Sequence, residues 1–338
     1  MQLSAFELRQ CQTASEFLAA LRLSSEDWRD QSPGWTRHDV DFQRHWLFRG
    51  QRDATWRLLP TSFRHDSGSV SINNTYQDLA RVWATVEEND LRLERNELES
   101  LDIHYRQRFI RMLASAFLDF SLVREFALLA DSLGYHLPDF RRWLVEPRKF
   151  LHDYARKHYD DGNASVWTHP IVALARHHGM PIRLLDWTQN PLFAAFFAAM
   201  DAVNCKEDVA QEIVVFAIHS TVLNSEFMVV QVPHHENAFL QAQQGVLVFD
   251  QKADHWFLEY GVFPCLEDRM QGRFHYEHKL PSRKITLPTT EARELLRLLA
   301  LEGVSQAHLF PSLDSVAATI KTRISGADSY PFVQALDE

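Results

Sequence analysis

Apolar positions change rhythm several times along this 338-residue chain, most sharply within RLLDWTQNPLFAAFFAAM at 183–200. IRLLDW reads as a strand, and Asn190 then offers an N-cap whose side-chain oxygen can accept from a first-turn amide. Pro191 suits the first helical position, where no amide donor is needed. From Leu192 to Ala199 the residues are apolar on every face, which predicts a helix buried on all sides. Arg183, Asp186 and Thr188 stand where the strand runs into that helix. Polar groups so close to a buried helix must be paired or used.

Elsewhere the rhythm predicts a helical lead-in over 1–40, started by Thr13 or Ser15 and carrying Phe17, Leu18 and Leu21. WLFRGQ (46–51) and TWRLLPTSF (55–63) read as strands around the turn Arg52-Asp53-Ala54. Residues 66–74 form a loop. Residues 76–159 carry helical spacing, broken by Gly134 and Pro138. A further helix begins at Pro170 and stops at Gly179. EIVVFAIH (212–219) is a β-branched strand, with FMVVQV, GVLVF, WFLEYGVF and RKITLP as shorter ones. TTEARELLRLLALEG (289–303) reads as a helix with a capping threonine and a glycine stop, and a last helix spans Leu313 to Ile324. The order predicts an α+β fold with a mixed or antiparallel sheet. Its core is drawn from 41–70 and 160–325, and a large helical insertion fills 71–159.

Composition adds bounds. The chain is 46% hydrophobic and 24% charged, ordinary for a folded protein, with a net charge of −10 that argues against broad attraction to phosphate backbones. A local basic groove stays compatible with that total. Cys11, Cys205 and Cys265 are odd in number and far apart, which suggests a reducing compartment without disulfides or a thiolate metal site. The first ten residues lack the apolar stretch of a secretory signal, and no segment suggests a membrane span. A cytoplasmic protein is expected.

Three passages carry candidate chemistry. Alternation in WLFRGQ puts Trp46, Phe48 and Gly50 on one face and Leu47, Arg49 and Gln51 on the other. An arginine inside an aromatic strand needs an anion, either a carboxylate of the fold or a ligand phosphate gripped bidentately. Gly50 would permit close approach of a ligand to the backbone. In IRLLDWT, Asp186 and Thr188 share one face and Arg183 and Trp187 the other. Asp186 is either the partner of Arg49 or Arg64, or a working carboxylate. His177 and His178 lie at a helix C-terminus, where a protonated imidazole suits the dipole, and His178 could equally serve as acid, base or phosphate donor. In QAQQGVLVFD (241–250), Gln243 and Gln244 either contact a ligand or satisfy a turn. His234-His235, His275 and His278 lack metal spacing, so no metal is expected. The common nucleotide-binding and hydrolase signatures are absent.

WLFRGQ with RLLPTSFR (57–64), RHHGMPIRLLDWTQNPLFAAFFA (176–198) and QAQQGVLVF (241–249) together resemble the FRG domain, a family named after its (F/Y)-R-G motif. EGVSQAHLFPSLDSVAATIK (302–321) looks like the family's C-terminal segment. The resemblance spans roughly residues 40–324 and implies an intracellular bacterial or phage effector, with a role in toxicity or phage defence. A more distant resemblance is to the Arg-Ser-Glu class of ADP-ribosyltransferases, which would give an ADP-ribosyltransferase-like fold. Phe48-Arg49-Gly50 looks like the first motif of that class. Asp186-Trp187-Thr188 with Ala194-Ala195-Phe196-Phe197-Ala198 looks like the second, and Gln241 to Gly245 falls where the third belongs.

That second resemblance implies NAD as substrate, with Arg49 on the pyrophosphate and Thr188 on the nicotinamide ribose or the strand carrying Arg49. Gly50, Gln51, His178, Arg183 and Gln243 are the further expected nucleotide contacts. Arg49, Asp186 and Gln244 would be the catalytic set, acting on a protein or nucleic-acid acceptor. The third motif lacks its glutamate, and a neutral Gln244 cannot stabilise the positive charge of a departing ribose. Asp186 or Glu236 would have to substitute; otherwise the domain binds a nucleotide without consuming it. Two other classes stay open: a noncatalytic nucleotide-sensing or interaction module, and an RNA nuclease using Arg49, His178 and Asp186. Under each, the helical insertion would dock a partner protein or cover the cleft.

Overall fold

A computed structural model describes residues 6–25, 28, 46–64, 102–138, 140–143, 149–150, 153–154, 164–205, 210–220, 223, 226–230, 238–270 and 282–325. Their strands form one mixed sheet. They are β1 (Glu7–Gln10), β2 (Trp46–Gln51), β3 (Leu185–Thr188), β4 (Glu212–His219), β5 (Phe227–Val230), β6 (Gly245–Asp250) and β7 (Ser282–Pro288), in the order β1-β7-β4-β2-β3-β6-β5. β1 runs parallel to β7, and every other neighbour is antiparallel. Besides a four-residue helical turn at Ala164–Trp167, the helices are α1 (Ala14–Leu21), α2 (Ile103–Ser132), α3 (Pro170–His177), α4 (Pro191–Asn204), α5 (Ala238–Gln243), α6 (Ala253–Tyr260), α7 (Leu266–Met270), α8 (Ala292–Leu301), α9 (Gln306–Leu309) and α10 (Leu313–Ser325). The fold is α+β. No helix among the described residues is long and apolar enough to cross a membrane.

Alternating strand residues divide the apolar side chains between two faces of the sheet. On one face α1, α4 and α8 pack over Trp46, Phe48, Val215 and Ile285. Beside them, α2, α3 and α6 bury Leu247, Phe249 and Val230. The opposite face, with Leu47, Trp187, Val214, Phe216 and Val248, is covered by Ala54, Leu58, Leu266 and Met270. Long α2, drawn from the expected insertion, therefore builds part of the core. The other half of that segment, 76–101, lies outside the described residues.

The caps behave as their chemistry requires. Thr13 Oγ1 accepts from the Glu16 amide at 3.3 Å, and the Glu16 carboxylate accepts from the Thr13 amide, a complete capping box. Asn190 Oδ1 accepts from Leu192 N at 2.9 Å, with Pro191 behind it. Gly134 and Gly303 end their helices at φ +82° and +80°.

Four expectations are corrected. The N-terminal lead-in opens with strand β1 before its helix, because ELRQ is an exposed polar edge strand without the apolar alternation of a half-buried one. TWRLLPTSF forms no strand. Pro60 interrupts it, Thr61–Phe63 is a 3-10 turn, and the Glu267 carboxylate accepts the Leu58 amide at 3.0 Å. WFLEYGVF belongs to helix α6, whose buried Ala253, Phe257 and Leu258 follow helical spacing up to Gly261 at φ +76°. The 289–303 helix has no side-chain cap: it starts through the 3-10 turn Thr289–Glu291. Glu291 instead accepts the Ala14 amide at the start of α1, at 3.0 Å.

Gly50 faces α4 so closely that a Cβ there would stand 1.9 Å from the Ala194 carbonyl oxygen. Its role is to let the helix backbone lie directly on β2. Gly50→Ala should therefore destabilise the protein by about 3 kcal/mol, the upper end of overpacking costs. Urea unfolding checks this; an unchanged midpoint would show that α4 is not seated as described.

Candidate functional site

A cleft of about 310 Å³ opens between the two helical clusters. β3 and β6 contribute Asp186, Thr188, Gly245 and Leu247, and β2 contributes Phe48, Arg49 and Gly50. The end of α3 supplies Arg176, His177 and the adjoining Gly179, while Phe197, Gln243 and Phe310 line other parts of it.

Its charge is organised around one carboxylate. Arg176 grips Asp186 as a fork, with Nε at 2.9 Å and 3.1 Å from the two oxygens and Nη2 at 2.5 Å. Arg49 Nη1 lies 3.7 Å from Asp186 Oδ2 and donates to the Asp186 backbone carbonyl at 2.7 Å. A side chain thus bonds a strand carbonyl that a neighbouring backbone would otherwise take. Asp186 keeps 42% of its side chain accessible, against 12% for Arg176 and 14% for Arg49. One edge of the carboxylate therefore remains open while the cations are packed in.

The pKa shifts follow from burial and these neighbours. Desolvation lowers Arg49 to about 10 against the pull of Asp186, and Arg176 and Arg64 push it further down. Burial lowers Arg64 as well, with Arg176 adding repulsion. Burial would raise the Asp186 carboxyl, but Arg176 outweighs it and holds the group below its ordinary value. His177 falls to about 4 through desolvation and then the adjacent His178, so its ring is neutral at physiological pH. Two guanidiniums, Arg49 and Arg176, thus share one carboxylate, and a third, Arg64, adds its repulsion to Arg49. In a chain of net charge −10 this is a local excess of positive charge that suits an anion.

The structure brings Arg49, Asp186, Thr188 and Gln243 together. Phe48 pairs with Thr188 across β2–β3, and Thr188 pairs with Gly245 across β3–β6. Thr188 Oγ1 donates to the Gln243 carbonyl at 2.7 Å, and the Gln243 amide donates to Leu309 O at 3.1 Å. Asp186 finds its main partner in Arg176, ten residues upstream, and sequence reasoning missed that residue. Its position in the last turn of a helix leading to the strand was the available signal.

Other expected residues stand elsewhere. Gly50 lines the cleft, but the space above it belongs to the Ala194 carbonyl, so helix packing explains this glycine better than ligand approach. Gln244 is exposed at φ +47°, where its carbonyl accepts from Gln189 N at 3.0 Å. It shapes the turn into β6 and is absent from the cleft lining. His178 is exposed and stacks on Phe126 with ring centroids 5.9 Å apart, so an Arg49–His178–Asp186 grouping for RNA cleavage is not assembled. Burial lowers its pKa, so a protonated dipole partner is not what this site favours. Glu236, His234, His235, His275 and His278 lie outside the described residues.

Arg183 is also displaced from its expected face. β3 begins only at Leu185, so strand alternation does not reach Arg183. The guanidinium enters the core cluster, donating to Asp119 at 2.8 Å, to Asp254 at 3.1 Å and to Tyr154 at 3.1 Å, over the Trp167 ring. This buried network anchors the approach to β3, and with 2% of its side chain accessible Arg183 leaves no face open to a nucleotide.

The passage carrying Arg176 and Asp186 decides the family comparison. Residues 134–207 match the FRG domain. The FRG match covers α3, β3 and α4, with the Arg176–Asp186 fork inside it, while WLFRGQ and QAQQGVLVF lie outside the matched residues. No curated relative and no solved structure matches the chain.

The Arg183 network predicts a pH response. Burial raises Asp119 to about 6 in the fold, above the ~3.9 of an unfolded aspartate. The folded state therefore holds this proton more tightly, and the resulting stabilisation is present below pH ~4 and lost as pH rises through about 6. Asp119→Asn should flatten that part of the stability profile in urea titrations between pH 4 and 7. An unaltered slope would reject the assignment. Asp186 acts in the opposite sense, since its lowered pKa adds stability that disappears as pH falls.

Proposed function

We propose that the cleft binds NAD or a related phosphate-bearing nucleotide, with Arg49 and Arg176 holding its phosphates. The observation that carries this reading is the sharing of Asp186 by Arg49 and Arg176 at a cleft that also presents Phe197, Phe310 and Trp187. A guanidinium fork bound to a carboxylate has the geometry to bind a phosphate instead, and the aromatic groups offer apolar surface to a base. The volume is near the small end of the ~300–1,000 Å³ typical of ligand pockets, so only part of a dinucleotide would be enclosed. The adjacency of β2, β3 and β6 supports the ADP-ribosyltransferase analogy, whose three motifs would sit on or beside those strands.

A second reading, ADP-ribosyl transfer to a macromolecule, is favoured by the open edge of Asp186. A carboxylate there could stabilise the positive charge that develops on ribose as the glycosidic bond breaks. Its engagement by Arg176 reduces the charge on offer, so turnover would require that fork to loosen. NAD consumption in a cell would in turn account for the toxic or defensive role implied by the FRG resemblance. Binding without turnover would instead make this a sensing module.

Calorimetry and thermal melting with NAD, together with labelled NAD in the presence and absence of cell lysate, test both readings. Saturable binding and a raised Tm are expected. Arg49→Ala should weaken affinity roughly tenfold or more, the loss of one charge-assisted contact, with the circular dichroism spectrum preserved. Nicotinamide release that depends on Asp186 would establish transfer or hydrolysis. Wild-type protein that neither binds nor is stabilised by NAD would end the nucleotide reading.

A further inference from the structure

His177 and His178 follow one another where α3 ends, and the structure separates them. Gly179 N donates to Arg176 O at 2.9 Å and Met180 N to Ala175 O at 3.0 Å, so the chain leaves the helix through Gly179 at φ +87°. This closure holds half-buried His177 in the wall of the cleft, while exposed His178 stays outside it against Phe126. The charged and titratable groups around the His177 ring are Arg176 and His178 on its own segment, Asp186 on β3 and Arg49 on β2. Arg49 and Arg176 hold their protons at neutral pH. The grip of Arg176 makes the Asp186 carboxylate a poorer base than an ordinary one. Burial and His178 outweigh the pull of Asp186 on His177 and keep its ring neutral. An uncharged imidazole can take up a proton, and it stands at the same cleft as a carboxylate with an open edge.

We propose that His177 is the catalytic base of this cleft, taking the proton from the hydroxyl, of water or of an acceptor, that attacks the ribose. The inference rests on the transfer reading above and supplies a group which that reading lacks. As the bond from the ribose carbon to the nicotinamide nitrogen breaks, its electron pair goes to that nitrogen, and nicotinamide leaves as a neutral molecule. The leaving group therefore needs no acid. The attacking oxygen forms the new bond to the same carbon and sheds its proton, which His177 accepts on a ring nitrogen and passes to solvent. Asp186 stabilises the positive ribose meanwhile. A protonated imidazole would repel that charge, and the cleft already holds two cations, so a neutral ring suits the step.

Nicotinamide release from NAD, followed with the full chain in buffer and in cell lysate, tests this alongside calorimetric NAD affinity. His177→Gln should lower kcat roughly a hundredfold, within the range for loss of one general base, and leave NAD affinity unchanged. Exogenous imidazole should restore release to His177→Ala, a response that a packing role would not give. His178→Gln, altered outside the cleft, should behave as wild type. His177-dependent free ADP-ribose in buffer would identify water as the source of the hydroxyl, and His177-dependent labelling of macromolecules in lysate an acceptor. Undiminished kcat in His177→Gln, or a loss in His177→Ala that imidazole does not relieve, would overturn the role of His177 and leave the transfer reading intact. If His177→Ala fails to fold, the kcat and affinity of His177→Gln decide. Wild type that binds NAD without releasing nicotinamide would remove the transfer reading, and this inference with it.

Discussion

The seating of α4 on β2 is the contact on which the arrangement of the cleft depends. Gly50 brings the helix backbone within van der Waals reach of the strand, and the small residues Ala194, Ala195, Ala198 and Ala199 keep the interface thin. That closeness sets the height of Phe197 above the sheet and leaves α3 to occupy the next position over β3. A bulkier residue at position 50 would lift α4 and alter the wall that Phe197 contributes. The glycine of the Phe-Arg-Gly triplet and its arginine thus act in different ways: one fixes the helix, and the other occupies the opening between strands.

Charge in the FRG segment is divided between two assemblies a few residues apart. Arg183 lies in a buried core network with Asp119, Asp254 and Tyr154, away from open space. Arg176 and Arg49 meet Asp186 at the edge of open space. Both arrangements join arginine to carboxylate, and what separates them is access. In the first, removal of one partner leaves a charge stranded in the core, a loss of about 3–5 kcal/mol. In the second, the carboxylate keeps one edge open to solvent.

The elements with strong local chemistry were legible in the sequence. Asn190-Pro191 announced α4, EIVVFAIH announced β4, and alternation in WLFRGQ correctly separated Phe48 from Arg49 across the sheet. Misreadings arose where local pattern and tertiary setting disagree. WFLEYGVF has strand-like aromatics, but its buried positions follow a helical period. ELRQ has no apolar signature because its pairing to β7 is an edge interaction made by backbone. At the site, Asp186 was identifiable as a polar residue at a strand end, whereas its fork with Arg176 depends on how α3 turns back toward β3. Gln244 illustrates the opposite error. Its place in a motif suggested a side-chain role, while its left-handed backbone serves the turn.

The joining of β1 to β7 has a consequence for how the protein is made. Glu7 lies beside Arg283, and the first amide of α1 is capped by Glu291, 277 residues further on, so this segment finds its partners far away in sequence. On a ribosome, β1 must wait until those distant residues emerge, leaving its edge and the apolar side of α1 exposed while the intervening residues are made. Such long-range closure slows folding and lengthens exposure to aggregation. The polar, short character of ELRQ is well suited to that interval, because an edge strand with few apolar groups offers little to a neighbouring chain.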